Sequence, residues 1–140
     1  MKIKVKKLAA IIPDLHYAKH GDAGFDIYAR EETVLMPGKH AVIPTGVSME
    51  IPEGYVGLIW DKSGLSAKAG LMTFGGVIDS GYRGEIHAIM INTTDTPYTL
   101  EAGHKVAQVV IQKFEEAQFE ETDELSDSER GATGFGSSGK

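Results

Sequence analysis

No cysteine occurs among the 140 residues, which removes disulfides, thiolate metal sites and a cysteine nucleophile together. No run of 18 apolar residues is present, so no membrane-spanning helix is expected. The lysine-rich start lacks the apolar centre of a signal peptide, so the chain reads as unexported and cytoplasmic, with no membrane partner. A basic surplus is missing too: 14 Lys and Arg stand against 20 Asp and Glu. Residues 1–114 carry 12 of each sign, while residues 115–129 hold eight acids and no base. A neutral body with an acidic segment is a poor match for a nucleic-acid backbone, so no nucleic-acid partner is expected. Any phosphate bound here belongs to a small molecule held by local donors.

What is there reads as one β-rich domain, long enough to bury a core. Residues 1–8 alternate Ile3 and Val5 with lysines, the period of a half-buried strand. Residues 13–21 are polar and read as a loop, with His16 and His20 solvated rather than metal-bound. In residues 22–29, Phe25 and Ile27 alternate with Asp26, which places the carboxylate on the face opposite the two apolar side chains. Short β-like runs follow at 33–36, 40–47 and 55–60, punctuated by Pro37-Gly38, Pro44 and Pro52-Glu53-Gly54. That spacing of strands and turns predicts an all-β sandwich or barrel.

Residues 61–70 break the pattern. Ser63 is the expected cap of one short helix, and Gly70 marks its end. Residues 86–92 alternate as another strand. Over 101–114 the period is ambiguous: Val106, Val109, Val110 and Phe114 fit a helix face, but the density of Val and Ile favours a strand. The domain is therefore expected to span residues 1–114, followed by an extended acidic strap over 115–129 and a glycine-rich arm over 130–140. Phe135 in that arm has nothing of its own to pack on unless a ligand or partner supplies it.

Everything else is arranged around Gly75-Gly76-Val77-Ile78-Asp79-Ser80-Gly81-Tyr82-Arg83-Gly84-Glu85. Val77 and Ile78 favour extended backbone and Ser80-Gly81 supplies a corner, so the stretch reads as a β-hairpin carrying Asp79. Glycines on both sides leave bare backbone that a flat ligand can approach closely. Tyr82, three residues beyond the carboxylate, offers a ring face.

Five stretches stand in order: Ala23-Gly24-Phe25-Asp26-Ile27; Lys62-Ser63-Gly64-Leu65-Ser66; Gly76 to Glu85 within the central stretch; Gly103-His104-Lys105-Val106-Ala107-Gln108; and Arg130-Gly131-Ala132-Thr133-Gly134-Phe135-Gly136-Ser137-Ser138-Gly139. Together they resemble the five motifs of the trimeric deoxyuridine triphosphatases, the dUTPases, over residues 23–139. The third and fifth are the specific ones. The second departs from the usual pattern, with Asp61-Lys62 where the family has Pro-Arg, and lysine lacks the planar fork of arginine.

The resemblance implies a jelly-roll subunit, a homotrimer with sites at subunit interfaces, and hydrolysis of dUTP to dUMP and pyrophosphate with Mg²⁺. By the same resemblance Asp79 would orient the sugar 3′-hydroxyl and activate the attacking water. Tyr82 would lie beneath the deoxyribose, and backbone around Thr73, Val77 and Ile78 would pair with the uracil edge. Lys62, Ser63, Gly64 and Gln108 would hold phosphates, His87 would touch substrate, and Asp26 would hold a water of the Mg²⁺ shell. Arg130, Gly136 and Ser137 would clamp the phosphates beneath Phe135 stacked on the base. A dCTP deaminase, the nearest competitor on this fold, would need a glutamate base at the ring. The run Asp79-Ser80-Gly81-Tyr82 looks like the triphosphatase version.

Overall fold

A computed structural model describes residues 1–132. In chain order its elements are β1 (Lys4–Lys7), β2 (Gly24–Tyr28), β3 (Thr33–Leu35), β4 (His40–Pro44), β5 (Val47–Glu50), β6 (Tyr55–Trp60), α1 (Ser63–Ala69), β7 (Leu71–Phe74), β8 (Val77–Ile78), β9 (His87–Asn92), β10 (Tyr98–Leu100) and β11 (Lys105–Lys113). One sheet runs β2-β11-β6-β8, a second β4-β9-β7, and two ribbons pair β1 with β5 and β3 with β10. Every pairing is antiparallel among the described residues. The fold is the all-β jelly roll, with one short helix.

Alternation builds the core. In β9, Ala88, Met90 and Asn92 point inward while their neighbours are half-exposed. Phe25, Ile27 and Val109 of the first sheet join Ile43, Leu71, Ala88 and Met90 of the second in a single apolar cluster. Asp26 lies on the opposite face from Phe25 and Ile27, as the strand period requires. Two buried polar side chains interrupt the cluster, Thr45 and Asn92, and both are satisfied. Asn92 donates from Nδ2 to the carbonyls of Leu35 (2.9 Å) and Thr96 (2.7 Å) and accepts from Thr94. Thr45 donates its hydroxyl to the Ile86 carbonyl. Such pairing removes most of the cost of burying these groups.

Residues 105–113 are a strand, and a register shift explains their helix-like spacing. Lys105 pairs opposite Tyr28 but Ala107 opposite Ile27, so an irregularity falls at Val106. Two consecutive side chains, Val106 and Ala107, are thereby buried before alternation resumes at Val109. A bulge of this kind is what turns a two-residue period into a three-residue one.

Three expectations are corrected. The central stretch makes its corner, with the Tyr82 amide bonded to the Asp79 carbonyl at 3.1 Å, but it is no hairpin. β8 pairs with β6, Ile78 opposite Gly57, and the chain then crosses to β9 in the other sheet. Lys62 rather than Ser63 holds the cap position of the helix, Ser63 being its first residue, and no side chain caps it, while Gly70 closes it in the left-handed conformation. β1 is exposed along its whole length, because among the described residues it pairs with β5 alone and nothing covers Val5 on the side it shares with Met49. Residues 115–129 form no helix or strand and are exposed throughout.

The loop between β4 and β5 depends on Gly46, whose φ is +68°. A Cβ there would stand 2.6 Å from Ile12 Cγ1, in a conformation L side chains resist. Gly46→Ala is expected to cost about 2 kcal/mol of stability, read as a lowered urea midpoint with unchanged slope; an unchanged midpoint would mean the loop relaxes freely.

Candidate active site

Register places the first cluster. Across the outer face of the four-stranded sheet, Gln108 of β11 stands opposite Asp26 of β2 and opposite Trp60 of β6. Residues 61 and 62 follow directly from Trp60 and turn into α1. The result is a hollow of about 460 Å³ lined by Asp26, Trp60, Asp61, Lys62 and Gln108, with Asp22 to Gly24 on its rim. Gln108 donates its amide to the Asp61 carbonyl at 2.9 Å, which ties β11 to the start of the helix.

Asp26 is the electrostatic centre of this hollow. Lys62 Nζ contacts one of its oxygens and Lys105 Nζ the other, the latter at 2.7 Å. Burial pushes the Asp26 carboxyl up, but hydrogen bonds from Lys105 and Lys62 outweigh it and hold the group below the usual aspartate range. The hydrogen bond that Lys105 donates to Asp26 in turn raises the Lys105 ammonium above its ordinary value. One carboxylate thus carries two ammonium groups, while Asp22 and Asp61 add two further carboxylates to the lining; the ammonium groups are the ones of the sign that a polyphosphate pairs with.

Lys62 reaches this position because residue 62 is extended, with φ −88° and ψ 118°, immediately before the helix. Ser63 and Gly64 are exposed at the first positions of α1. Asp61 has a separate task. Its Oδ1 accepts from the Thr73 hydroxyl at 2.6 Å and from the Thr73 amide, so it stitches the helix entry to β7. Thr73 is therefore spent on Asp61 and lines neither hollow.

A second hollow, of about 270 Å³, lies on the other side of β8. Val77, Ile78, Asp79, Tyr82 and His87 line it, with Val42, Glu85 and Ile89. Its walls are chiefly apolar, with a few polar groups, the composition of a small-molecule site. Asp79 is exposed at its mouth. The Tyr82 hydroxyl donates to the Glu85 carbonyl at 2.8 Å, and His87 Nδ1 lies 2.9 Å from the same oxygen.

The sequence-predicted residues thus fall into two groups. Asp26, Lys62 and Gln108 meet in the first hollow, and Val77, Ile78, Asp79, Tyr82 and His87 in the second, and the two share no lining residue. Arg130 lies beside a turn in which the Gly131 amide bonds to the Ser128 carbonyl at 3.1 Å. Phe135, Gly136 and Ser137 lie outside the described residues. Sequence reasoning missed Lys105 as a partner of Asp26, Asp61 as the anchor of Thr73, and the engagement of Glu85. Lys105 and Glu85 carried a signal, since they stand within the fourth and third stretches, and Asp61 did so as a departure from the second.

The dUTPase family model matches residues 10–139. The deoxyuridine 5′-triphosphate nucleotidohydrolase of Thermobifida fusca is 45% identical over 142 residues, covering 99% of this chain and 79% of that protein. Among solved structures, the dUTPase of Staphylococcus bacteriophage 80alpha with dUpNHpp superposes with a TM-score of 0.92 at 34% identity, over 99% of each chain. A dUTPase of the S. aureus phage phi11, described with a structural Mg(II) ion, has a TM-score of 0.82 at 30% identity, over 89% of this chain and 99% of that one. A family match across nearly the whole length, with a relative at 45% identity and the same fold, shows that the chain belongs to the dUTPase family.

Proposed function

We propose that this chain hydrolyses dUTP to dUMP and pyrophosphate, in a site assembled from the two hollows of different subunits. The observation that carries this reading is the pairing of an apolar, nucleoside-sized hollow bearing Asp79 with a polar one lined by Lys62 and Gln108, whose Asp26 also takes the Lys105 ammonium. A nucleoside triphosphate has the same two halves. The two hollows share no lining residue within one chain, and in this reading a second copy joins them. The outward face of β4-β9-β7 supports self-association, as Val42, Met72 and Phe74 are about half-exposed there beside Val77. A homotrimer satisfies both requirements.

In the nucleoside hollow, backbone at Val77 and Ile78 would pair with the uracil edge. A fixed pattern of donors and acceptors rejects cytosine by leaving polar groups unpaired. The Tyr82 ring would lie under the deoxyribose, where a 2′-hydroxyl collides with it, and His87 would flank the nucleoside. Asp79 would orient the 3′-hydroxyl and take a proton from water as its oxygen attacks the α-phosphorus. The bond from that phosphorus to the bridging oxygen then breaks and pyrophosphate leaves. Lys62, Ser63, Gly64 and Gln108 would receive the phosphates from the other hollow. The arm would bring Arg130, Gly136 and Ser137 onto them, with Phe135 over the base and the acidic strap as its reach.

The donor set fits a Mg²⁺ that arrives on the triphosphate. Among the described residues no three His, Asp or Glu side chains gather into a cage. Asp26 faces the hollow with both oxygens on lysines, and incoming phosphates would draw those lysines away. Asp26 would then hold a water of the ion's shell, and the ion would neutralise triphosphate charge. Deamination is disfavoured by the geometry: Glu85 is the one glutamate lining the nucleoside hollow, and both its oxygens are engaged. Removal of dUTP would keep uracil out of DNA and supply dUMP for thymidylate synthesis.

Asp79→Asn is expected to keep dUTP affinity within about threefold and lower turnover on the order of 10³-fold, measured with Mg²⁺ by chromatography of products. Unaltered turnover would remove Asp79 from the water-activating role. Deleting residues 130–140 should lower kcat/KM at least about tenfold without moving the melting temperature; an inert deletion would dismiss the arm. Light scattering should give three times the 15.1 kDa chain mass, whereas an active monomer would refute the shared site.

A further inference from the structure

The wall that holds Tyr82 is built from outside the hollow. The Tyr82 ring folds back over Gly84, where a Cβ would stand 2.6 Å from its Cζ. Its hydroxyl ends on the Glu85 carbonyl. Glu85 is in turn fixed through its side chain: Arg30 Nη1 donates to Oε2 at 2.7 Å, and the Gly46 amide donates to Oε1 at 2.8 Å. The Glu85 carboxylate is only 14% exposed. The next residue is clamped as well, with the Ile86 amide on the Val47 carbonyl and its own carbonyl taking the Thr45 amide and hydroxyl. Arg30 is steadied by its backbone amide, bonded to the Pro44 carbonyl at 2.8 Å. A run of bonds therefore leads from Arg30 through Glu85 to the phenol of Tyr82.

We propose that Glu85, held by Arg30, is a positioning residue that stiffens the Tyr82 ring and so sets the discrimination between deoxyribose and ribose. This rests on the dUTP reading of the hollow and deepens it. Tyr82 is 43% exposed, so packing alone does not immobilise its ring. Rejecting one extra oxygen by collision requires a wall that does not yield, because a shift on the order of 1 Å is enough to admit it. A carboxylate held by a guanidinium and a backbone amide supplies that stiffness through charge-assisted bonds. Gly84 completes the device, since any side chain there would push the ring out of place.

The test is kcat/KM for dUTP and for UTP in the full-length chain and in Glu85→Gln, Arg30→Met, Tyr82→Phe and Tyr82→Leu, with the melting temperature of each. Glu85→Gln keeps the size of the side chain and an acceptor for Gly46, so it isolates the charge on the tie. The dUTP-to-UTP ratio is expected to fall about tenfold in Glu85→Gln and in Arg30→Met. Tyr82→Phe, which cuts the same run at its hydroxyl, should lower the ratio similarly, and adding Glu85→Gln to it should change little more, as coupled residues do. A merely structural role would slow both nucleotides alike and leave the ratio unmoved. An unmoved ratio in Glu85→Gln and Arg30→Met, with collapse in Tyr82→Leu, would overturn the inference and spare Tyr82 as the sugar wall. A ratio unchanged in Tyr82→Leu would overturn both.

Discussion

Strand β11 is hydrogen-bonded along both edges, to β2 on one side and β6 on the other, and its register fixes the rest of the molecule. Because the side-chain period of a strand is two, a slip by one residue would send Gln108 into the core and Val109 out of it. The apolar set on the inner face forbids that slip. The same constraint brings Asp26, Gln108 and Trp60, which are distant in sequence, into one row on the outer face. The bulge at Val106 adjusts the phase so that Lys105, just before it, lands on Asp26. Core packing and the charge arrangement of the polar hollow are consequences of one pairing.

Around that row the charges are asymmetric in a useful way. Asp26 is held ionised by two lysines, and both ammonium groups are in turn held at its oxygens. An ammonium group with a long flexible stem is an exchangeable partner, unlike the bidentate fork of arginine. Lysine at position 62, where the family pattern has arginine, therefore need not weaken phosphate capture. Asp61, in the place of the family's proline, supplies rigidity by another means, binding Thr73 through its side chain instead of restricting its own backbone.

Much of the architecture was legible from periodicity. Alternation located β2, β6 and β9, and Gly70 marked the helix end, because local sterics dictate these features. Pairing partners were not legible. Nothing in Val77 and Ile78 announces that they will bond to Gly57 and Leu58, so a local corner was read as a hairpin. The exposure of β1 was hidden for a similar reason: a strand's burial depends on what lies over it. The motif series named Asp26, Lys62, Gln108, Asp79 and Tyr82, and the fold sets them in the linings of two hollows. The division of those residues between two hollows, and the ties of Glu85 to Arg30 and of Thr73 to Asp61, depend on contacts between distant segments, which no spacing rule encodes.

The exposed segment at 115–129 has a consequence for the molecule as a colloid. Residues 1–114 have no formal net charge, and the acids of this segment supply the chain's whole negative surplus. Mutual repulsion between molecules in solution therefore originates in a stretch that contributes no helix or strand to the fold. The formal charges of residues 1–114 taken by themselves cancel, the balance at which proteins associate and precipitate. Charge repulsion and the described secondary structure thus lie in different parts of the same chain.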